Sequence, residues 1–266
     1  MDTFRKLIYD HYHTHGRCLP WRQTADAYSI FVSEIMLQQT PVERVLGKYE
    51  GFIRAFPDFP SLAAASLDRV LREWQGLGYN RRALALTKAA ELISGEFGGR
   101  LPPSVDLLAK LPGIGRTTAS AVAAFAFGIP VVFIETNIRT VFIHFFFPER
   151  ERVSDRQIMP LLESALDRTD PRTWYHALMD YGAMLKRTGE RAHRKSTGYH
   201  RQSPFPGSDR RVRGAILRIL LERKGLSEAA LVRALGEPEE RVRRILADLE
   251  KEGFLRVSGG ALAITR

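Results

Sequence analysis

The 266-residue sequence predicts an all-α protein in which a two-lobed helical core precedes a small C-terminal domain. Apolar residues recur at helical spacing along most of the chain, and prolines and glycines separate these segments by short connections. Residues 196–209 are polar and contain two prolines and two glycines, as is typical of a linker. We therefore expect a core over residues 1–207, with a six-helix lobe at about 21–130 and a second helical lobe from 1–20 and 131–200, and a separate domain at 208–266.

Each expected core helix shows an apolar stripe that repeats every three to four residues. In chain order, the segments with this spacing are FRKLIYDHY, AYSIFVSEIMLQQ, VERVLGKYEGFIRAF, LDRVLREWQ, RRALALTKAAELISGEF, TTASAVAAFAFG and ALMDYGAMLKR. The residues that interrupt the pattern are Pro41, Pro60, Gly78, Pro102, Pro112, Pro130 and Pro171. Connections this short are typical of helices that pack directly against one another.

The C-terminal domain has a pattern of its own. Three amphipathic helices are predicted in RRVRGAILRILLERKG, LSEAALVRALG and EPEERVRRILADLEKEG, and two short β-like runs follow on either side of Gly259 and Gly260. This order of elements is typical of a winged helix-turn-helix.

Composition limits the possible partners and cofactors. The net charge of +10, from 40 Lys and Arg against 30 Asp and Glu, favours a polyanionic partner. No apolar run reaches the roughly 18 to 20 residues of a membrane helix, and the first residues lack the apolar centre of a signal peptide, so we expect a cytoplasmic protein without membrane contact. Cys18 is the only cysteine, which excludes an intrachain disulfide and a Cys-rich metal site. A helix would scatter His11, His13 and His15 around its surface, so we expect no metal site there.

The stretch LPGIGRTTASA predicts two helices joined by a tight turn. Glycines at 113 and 115 let the backbone turn sharply and approach another molecule. The helix that follows starts with free N–H groups and the positive end of its dipole, which suits a phosphate. The alternative is a helix connection whose glycines serve packing alone.

Two segments precede this hairpin, PWRQTADAYSIFVSEIMLQQTPVERV and WQGLGYNRRALALTKAA, and ALMDYGAML follows it. The ordered set resembles the helix-hairpin-helix base-excision DNA glycosylases, most closely the adenine glycosylase branch, over residues 19 to about 185. The resemblance implies a helical glycosylase core that rotates a nucleotide out of duplex DNA. It also implies DNA contacts by Tyr79 and by the hairpin residues Pro112, Gly113, Ile114, Gly115, Arg116, Thr117 and Thr118.

Glu34 is the candidate general acid. By resemblance its carboxyl group protonates a ring nitrogen of the flipped purine and makes the base a better leaving group. The local sequence supports this role in part, because Glu34 lies in an otherwise apolar helical segment where burial would raise its pKa. The alternative is a solvated glutamate on the surface of the helix.

The turn after Glu34 carries candidate DNA contacts at Gln38, Gln39 and Thr40. Gln38 lies four residues after Glu34 and would share its helix face, while Gln39 and Thr40 would end the helix before Pro41. The resemblance implies that a glutamine of this turn fills the gap that the flipped nucleotide leaves, and either glutamine is a candidate. The alternative is that these glutamines only end the helix, since glutamines are common at helix C-termini.

Glu135 departs from the family pattern. The resemblance places an aspartate here, at the start of the helix after the hairpin, to stabilise the cationic sugar as the glycosidic bond breaks. Glutamate keeps the charge but reaches one methylene further, so a shifted backbone, a different substrate or weak activity is expected. Asn137 has a family counterpart in the active site, and either Asn137 or Thr136 is expected to cap the helix.

Two further departures concern the mechanism. In the lyase branch of the superfamily a lysine stands where this chain has Thr117, and a hydroxyl cannot form an imine, so hydrolysis without strand cleavage is expected. The family's iron–sulfur loop normally follows GAML, but here the chain continues without a cysteine, so we expect no iron–sulfur cluster and no other cofactor. The loop instead offers phosphate contacts, or only a solvated basic linker, through Lys186, Arg187, Arg191, Arg194, Lys195 and Arg201.

The C-terminal domain differs from the β-rich reader of 8-oxoguanine that the resemblance implies. In a winged helix the third helix enters the major groove, which makes Arg241, Arg243, Arg244 and Lys251 candidate DNA contacts. The same helix carries many acidic residues, so docking to a protein is the alternative.

The resemblance and the residues together predict a monofunctional DNA glycosylase that removes a mispaired or damaged base from duplex DNA, with adenine in a mismatch as the first choice of substrate. Uracil or thymine in a mismatch and deaminated adenine are alternatives, and a catalytically weakened protein that binds DNA lesions is another. We expect a nucleoid-associated monomer whose partner is double-stranded DNA with a mismatch or lesion. The sequence identifies no protein partner.

Overall fold

Helices dominate the part of the chain that the computed structural model describes, residues 1–199 and 205–265. The helices are α1 (Asp2–His15), α2 (Ala27–Leu37), α3 (Val42–Ala55), α4 (Phe59–Ala63), α5 (Leu67–Trp74), α6 (Arg81–Glu96), α7 (Val105–Leu108), α8 (Arg116–Phe127), α9 (Thr136–Phe146), α10 (Asp155–Ala165), α11 (Pro171–Arg187), α12 (Asp209–Glu222), α13 (Glu228–Leu235) and α14 (Glu239–Lys251). Three short strands, β1 (Leu226–Ser227), β2 (Leu255–Ser258) and β3 (Ala261–Ile264), lie near the C-terminus, and single 3₁₀ turns lie at Pro20–Arg22 and Ala192–Lys195. The predicted all-α class is confirmed.

The chain divides into two compact units. The first combines Met1–Glu34 with the described part of Pro102–Arg201, and the second combines residues 35–101 with the described part of 202–266. The boundary near the N-terminus falls inside α2, after Glu34. Part of the expected linker, including Arg201, lies outside the described residues. The expected division at residues 207 and 208 stays a prediction.

The first unit has an aromatic core. Trp174 and Tyr175 of α11 are fully buried together with Phe142 of α9 and Ile8 of α1. Phe4 meets several of these rings edge to face, at centroid distances of 5.5 Å to Phe142 and 6.1 Å to Trp174. Such pairs contribute about 0.5–1.5 kcal/mol beyond their area burial, so this cluster fixes α1, α9 and α11 against one another.

The second unit is organised around the buried guanidinium of Arg82, which is only 9% exposed. Both terminal nitrogens donate hydrogen bonds of 2.7 to 3.3 Å, and the acceptors are the carbonyl oxygens of Ile35, Met36, Gln38, Leu77 and Gly78 and the hydroxyl of Thr40. Burial lowers the pKa of Arg82 to about 10. The side chain thereby joins the end of α2 to the turn before α6.

The C-terminal segment contains the three predicted helices and the two predicted strands on either side of Gly259 and Gly260. The additional short strand β1 pairs with β3, so the antiparallel sheet has the order β1-β3-β2. Leu262 of β3 pairs with Leu226 on one side and Val257 on the other. This topology is compatible with a winged helix.

The C-terminal segment contacts the helices of residues 35–101 within the second unit. Glu252 accepts hydrogen bonds from both Arg81 and Arg213, and Arg72 donates to the carbonyl oxygen of Leu221. The sequence did not predict these contacts, because it indicated an independent domain. None of the helices in the described part of the chain combines the length and apolar character needed to cross a bilayer.

Replacing Arg82 tests its structural role. Arg82→Met removes all six hydrogen bonds while keeping an apolar stem, and buried acceptors left unpaired are costly, so we expect the free energy of unfolding to fall by about 3–5 kcal/mol. Urea denaturation at pH 7 measures this loss. The matched control is Lys88→Met on the exposed face of the same helix, expected within about 0.5 kcal/mol of wild type. A loss below about 1 kcal/mol for Arg82→Met would contradict the role.

Candidate functional site

The predicted hairpin lies between α7 and α8. Gly113 adopts φ 74°, a conformation that favours glycine, and Ile114 beside it is 6% exposed and donates its amide to the carbonyl oxygen of Leu111 at 3.1 Å. Gly115 begins α8 without a side-chain cap, and a Cβ atom at this position would meet nothing within 4 Å. Internal packing therefore does not require glycine at this position, which argues against the alternative that Gly115 serves packing alone.

The exposed rim of the hairpin is formed by Gly113, Gly115, Arg116 and Thr117. Arg116 forms a 2.9 Å ion pair with Asp106, and both side chains are 76% exposed, so the pair is weak. Pro112 and Thr118 are half-buried, whereas the side chain of Ile114 packs into the protein. A ligand at the hairpin would therefore meet Ile114 through its backbone.

Glu34 lies on the last turns of α2 and is half-buried between the buried residues Ser33 and Ile35. Its pKa is raised to about 7, mainly by burial, the cause expected from the sequence, and in smaller part by the negative charge of Glu135, while Arg22 acts in the opposite direction. A carboxyl group with this pKa holds its proton for a large part of the time near neutral pH, as a general acid must.

Glu135 caps α9. One oxygen of its carboxylate accepts hydrogen bonds from the backbone N–H of Asn137 at 2.7 Å and of Ile138 at 2.8 Å. The other oxygen accepts from the side-chain amide of Asn137 at 3.2 Å. The expectation that Thr136 or Asn137 supplies the cap is wrong, because the longer glutamate side chain folds back onto the first free amides of the helix.

Close packing of α11 holds the start of α9. Gly182 lies so near the backbone carbonyl of Asn137 that a Cβ atom on Gly182 would overlap it. The side-chain oxygen Oδ1 of Asn137 is buried and accepts no hydrogen bond from the described residues. The start of α9 thus combines a carboxylate bound by backbone amides with a buried acceptor that has no partner among the described residues.

Positively charged side chains lie near Glu34 and Glu135. Arg22 forms two hydrogen bonds to Asp180, of 2.9 and 2.8 Å, and Arg17 also binds this aspartate, which is 2% exposed. Burial lowers the pKa of Lys186, and the charge of Glu135 acts against this shift. Our sequence reasoning gave Asp180 no role, although a single acid within the apolar helical run ALMDYGAML was a signal for it.

The turn after α2 belongs to the second unit. The helix ends at Leu37, so Gln38 lies in the turn and not on the helix face shared with Glu34, and that expectation is wrong. Gln39 has a left-handed φ of 54° and is exposed, whereas Thr40 is 7% exposed and accepts from Arg82. Tyr79, also left-handed at φ 48°, is 37% exposed.

The candidate DNA contacts on α14 are paired with carboxylates of their own segment. Arg241 contacts Asp209 and Glu237, and Arg244 contacts Asp209. Arg243 contacts Glu228 and Glu239. A phosphate would have to compete with these carboxylates, and the DNA-contact role of the three arginines stays a prediction.

The three histidines of α1 are only partly scattered around the helix, because two of them contact each other. The His11 ring stacks on His15 at 5.0 Å, while His13 stacks on Tyr9 at 6.0 Å. Within residues 1–199 and 205–265, no group of three or more His, Cys, Asp and Glu side chains is placed to hold a metal ion. The expectation of no metal and no cofactor stays a prediction.

The raised pKa of Glu34 predicts a pH-dependent stability. The folded protein keeps the Glu34 proton up to about pH 7, whereas the unfolded chain releases it near pH 4.5, so wild-type stability falls as the pH rises through this window. Glu34→Gln lacks this loss and should exceed wild type by about 1–3 kcal/mol at pH 8 but not at pH 4. Urea denaturation at both pH values measures it, with the exposed Glu43→Gln as control. A difference independent of pH would contradict the assignment.

Comparisons with known proteins identify the family of the chain. The profile of the family described as HhH-GPD superfamily base excision DNA repair protein matches residues 32–237. An adenine DNA glycosylase of Mycolicibacterium smegmatis is 37% identical over 230 residues, which cover 80% of this chain and 77% of that protein. The human adenine DNA glycosylase is 35% identical over 198 residues, 70% of this chain and 36% of the human protein. That of Buchnera aphidicola subsp. Baizongia pistaciae is 35% identical over 188 residues, 69% of this chain and 53% of that protein, so the chain spans about half the length of this relative.

Solved structures show the same fold. A thermostable thymine-DNA glycosylase is similar with a TM-score of 0.63 and 27% identity, over 69% of this chain and 88% of that one. A trapped endonuclease III–DNA covalent intermediate is similar with a TM-score of 0.59 over 78% of this chain and 90% of that one, and its 18% identity supports the fold alone. The family match covers more than half of the chain and confirms the resemblance seen in the motifs: the chain belongs to the HhH-GPD superfamily of base excision DNA repair proteins.

Proposed function

We propose that this protein is a monofunctional DNA glycosylase that hydrolyses the N-glycosidic bond of adenine in a mismatch. The observation that carries the proposal is the pair of carboxyl groups in the first unit. Glu34 holds a proton near neutral pH, and Glu135 is held in place by the first amides of α9. Two carboxyl groups in different environments suit an acid and a charge-stabilising group.

The proposed reaction uses each group once. Glu34 donates its proton to a ring nitrogen of the flipped adenine, and the bond between the base and C1′ breaks with its electrons moving to the base. The sugar becomes cationic, and the Glu135 carboxylate stabilises it. A water molecule then forms the new C1′–O bond and loses a proton, so the products are free adenine and an abasic site. The two backbone hydrogen bonds of Glu135 keep its carboxylate oriented during these steps.

The names of similar proteins support adenine as the substrate. The M. smegmatis, human and Buchnera relatives are all named adenine DNA glycosylase. The structural likeness to a thymine-DNA glycosylase at 27% identity favours thymine in a mismatch as the second candidate. A protonated acid aimed at the base suits a purine, whose ring nitrogens accept a proton readily, and we therefore place adenine first.

The proposed partner is duplex DNA with a mismatch or lesion, bound by a monomer in the nucleoid. The net charge of +10 and the exposed glycines of the hairpin support this partner. We propose that the protein works without an iron–sulfur cluster, because Cys18 is its only cysteine and a cluster needs several thiolates.

A panel of duplexes tests the proposed function. Each duplex carries one mismatch or lesion, including adenine, thymine, uracil or deaminated adenine, and is incubated with enzyme and then treated with alkali. We expect strand breaks at the mismatched adenine after alkali and intact strands without it, because Thr117 cannot form an imine with the sugar. Borohydride should trap no efficient enzyme–DNA adduct. Breaks confined to thymine would support the second candidate, and no break on any duplex would refute the proposed excision of these bases.

Variants of the two carboxyl groups test their roles. Glu34→Gln cannot donate the proton, so its single-turnover rate should fall by about 10² to 10⁴-fold while DNA binding is largely kept. Glu135→Gln keeps the size of the side chain but loses the charge and should also lose rate more than affinity. Rapid-quench measurement with enzyme in excess separates the chemical step from binding, with the exposed Glu43→Gln as control. Loss of binding with an unchanged chemical step would refute the assignment.

A further inference from the structure

A group of positively charged side chains lies in the first unit, at the end of α11 and in the loop after it. Lys186 belongs to the last turn of α11, and Arg191, His193 and Arg194 lie in and beside the 3₁₀ turn Ala192–Lys195. Burial lowers the pKa of His193 most, and the charges of Lys186, Arg194 and Arg191 add to the shift. These three cations therefore lie near the His193 ring, and we call Lys186, Arg191 and Arg194 the cationic cluster.

The loop after α11 takes a defined shape from contacts with the core and with the segment before α10. Ala192 is buried in the same core as α9. The backbone N–H of Val153 donates to the carbonyl oxygen of Lys195 at 2.8 Å, and that of Thr197 donates to the carbonyl oxygen of Val153 at 2.9 Å. The side chain of Lys195 donates to the carbonyl oxygen of Pro148 at 2.7 Å. These bonds hold the loop, and with it the cationic cluster, in place.

The acidic side chain of this loop is already engaged. Glu190 accepts a hydrogen bond from the backbone N–H of Arg191 at 2.7 Å, and its other carboxylate oxygen lies 3.0 Å from Nδ1 of His144. Residues 187–199 contain no second Asp or Glu. The loop therefore supplies no free carboxylate to the cationic cluster.

Lys186 connects the cluster to the candidate site. It lies four residues after Gly182, which touches the backbone of Asn137, so helix geometry places Lys186 on the face of α11 that meets the start of α9. Its side chain is half-buried and forms no hydrogen bond or ion pair with the described residues. Burial lowers its pKa, and the charge of Glu135 acts against this shift. A partly buried ammonium group without a partner is unfavourable, so a bound anion would stabilise it.

This ammonium group also bears on the proposed reaction. The sugar becomes cationic beside Glu135, and a second positive charge at Lys186 would raise the energy of that cation. A DNA phosphate bound to Lys186 would cancel this effect, because its negative charge neutralises the ammonium group. We propose that the cationic cluster binds a backbone phosphate beside the flipped nucleotide, and that this phosphate neutralises Lys186 while the sugar is cationic. The proposal rests on the proposed function, since a glycosylase reaction is what forms the sugar cation.

Neutral phosphate analogues test the binding site apart from catalysis. The probes are duplexes with one uncleavable tetrahydrofuran abasic-site analogue, and each carries a single methylphosphonate, which lacks the negative charge, at one phosphate near the analogue. We expect one methylphosphonate to weaken wild-type binding by roughly tenfold, as the loss of one charge-assisted hydrogen bond would. Lys186→Gln should weaken binding of the unmodified probe to a similar extent and should lose no further affinity on that methylphosphonate. Its salt slope should also fall by about 0.9.

The rate of excision tests the neutralisation of Lys186. The same methylphosphonate is placed in a duplex that carries the excised base, and single-turnover rates are measured with saturating enzyme. For wild type we expect the modified duplex to react on the order of tenfold more slowly than the unmodified one, because Lys186 then keeps its charge. For Lys186→Gln the two duplexes should react at rates within about twofold of each other. Equal wild-type rates on the two duplexes would overturn the neutralisation.

Two further variants serve as controls. Arg156→Gln removes an exposed arginine of the same unit outside the cluster and should lose affinity on each methylphosphonate by the wild-type factor. Arg191→Gln changes an exposed member of the cluster, so it should fold normally and share the coupling of Lys186→Gln to a smaller extent. Additive losses for both cluster variants at every phosphate, or equal coupling for Arg156→Gln, would overturn the proposal. Coupling in a protein that excises no base would refute the proposed function and leave the phosphate site standing.

Discussion

A buried guanidinium that has no carboxylate partner among the described residues organises the second unit. Arg82 satisfies carbonyl oxygens at the end of α2 and in the turn before α6, two places more than 35 residues apart in the chain. A carboxylate would bind the guanidinium at one point, but six neutral acceptors surround it and spread its charge over two turns. The turn with Gln38 and Gln39 and the turn with Tyr79 therefore take their shapes from one side chain.

The first unit keeps the carboxyl group of Glu34 protonated near the negatively charged Glu135. Burial favours the neutral form of Glu34, and the charge of Glu135 adds to this effect. Glu135 can remain there because the amides of α9 bind it and because Gly182 lets α11 approach the same turn. Asp180 forms ion pairs with Arg17 and Arg22, so part of the positive charge around Glu34 is already balanced.

The C-terminal segment has two sets of ion pairs, one within the segment and one that joins it to α6. The arginines of α14 are bound to carboxylates of the same segment, which supports its internal packing at the expense of a free basic surface. Glu252 binds Arg81 and Arg213 and fastens the segment to α6. The same attachment brings Arg210 of α12 to the hydroxyl of Tyr79, although the two residues are 131 positions apart in the chain.

The sequence by itself determined the helices, the glycine turn before α8, the raised pKa of Glu34 and the absence of a set of thiolates, because helical spacing, glycine turns and residue types are local properties. Tertiary structure decided what depends on residues far apart in the chain. The six acceptors of Arg82, the close approach of Gly182 to Asn137 and the carboxylates that bind Arg241, Arg243 and Arg244 leave no periodic pattern. Even the cap of α9 was misjudged, because how a glutamate folds back onto a helix depends on the space that neighbouring helices leave for it.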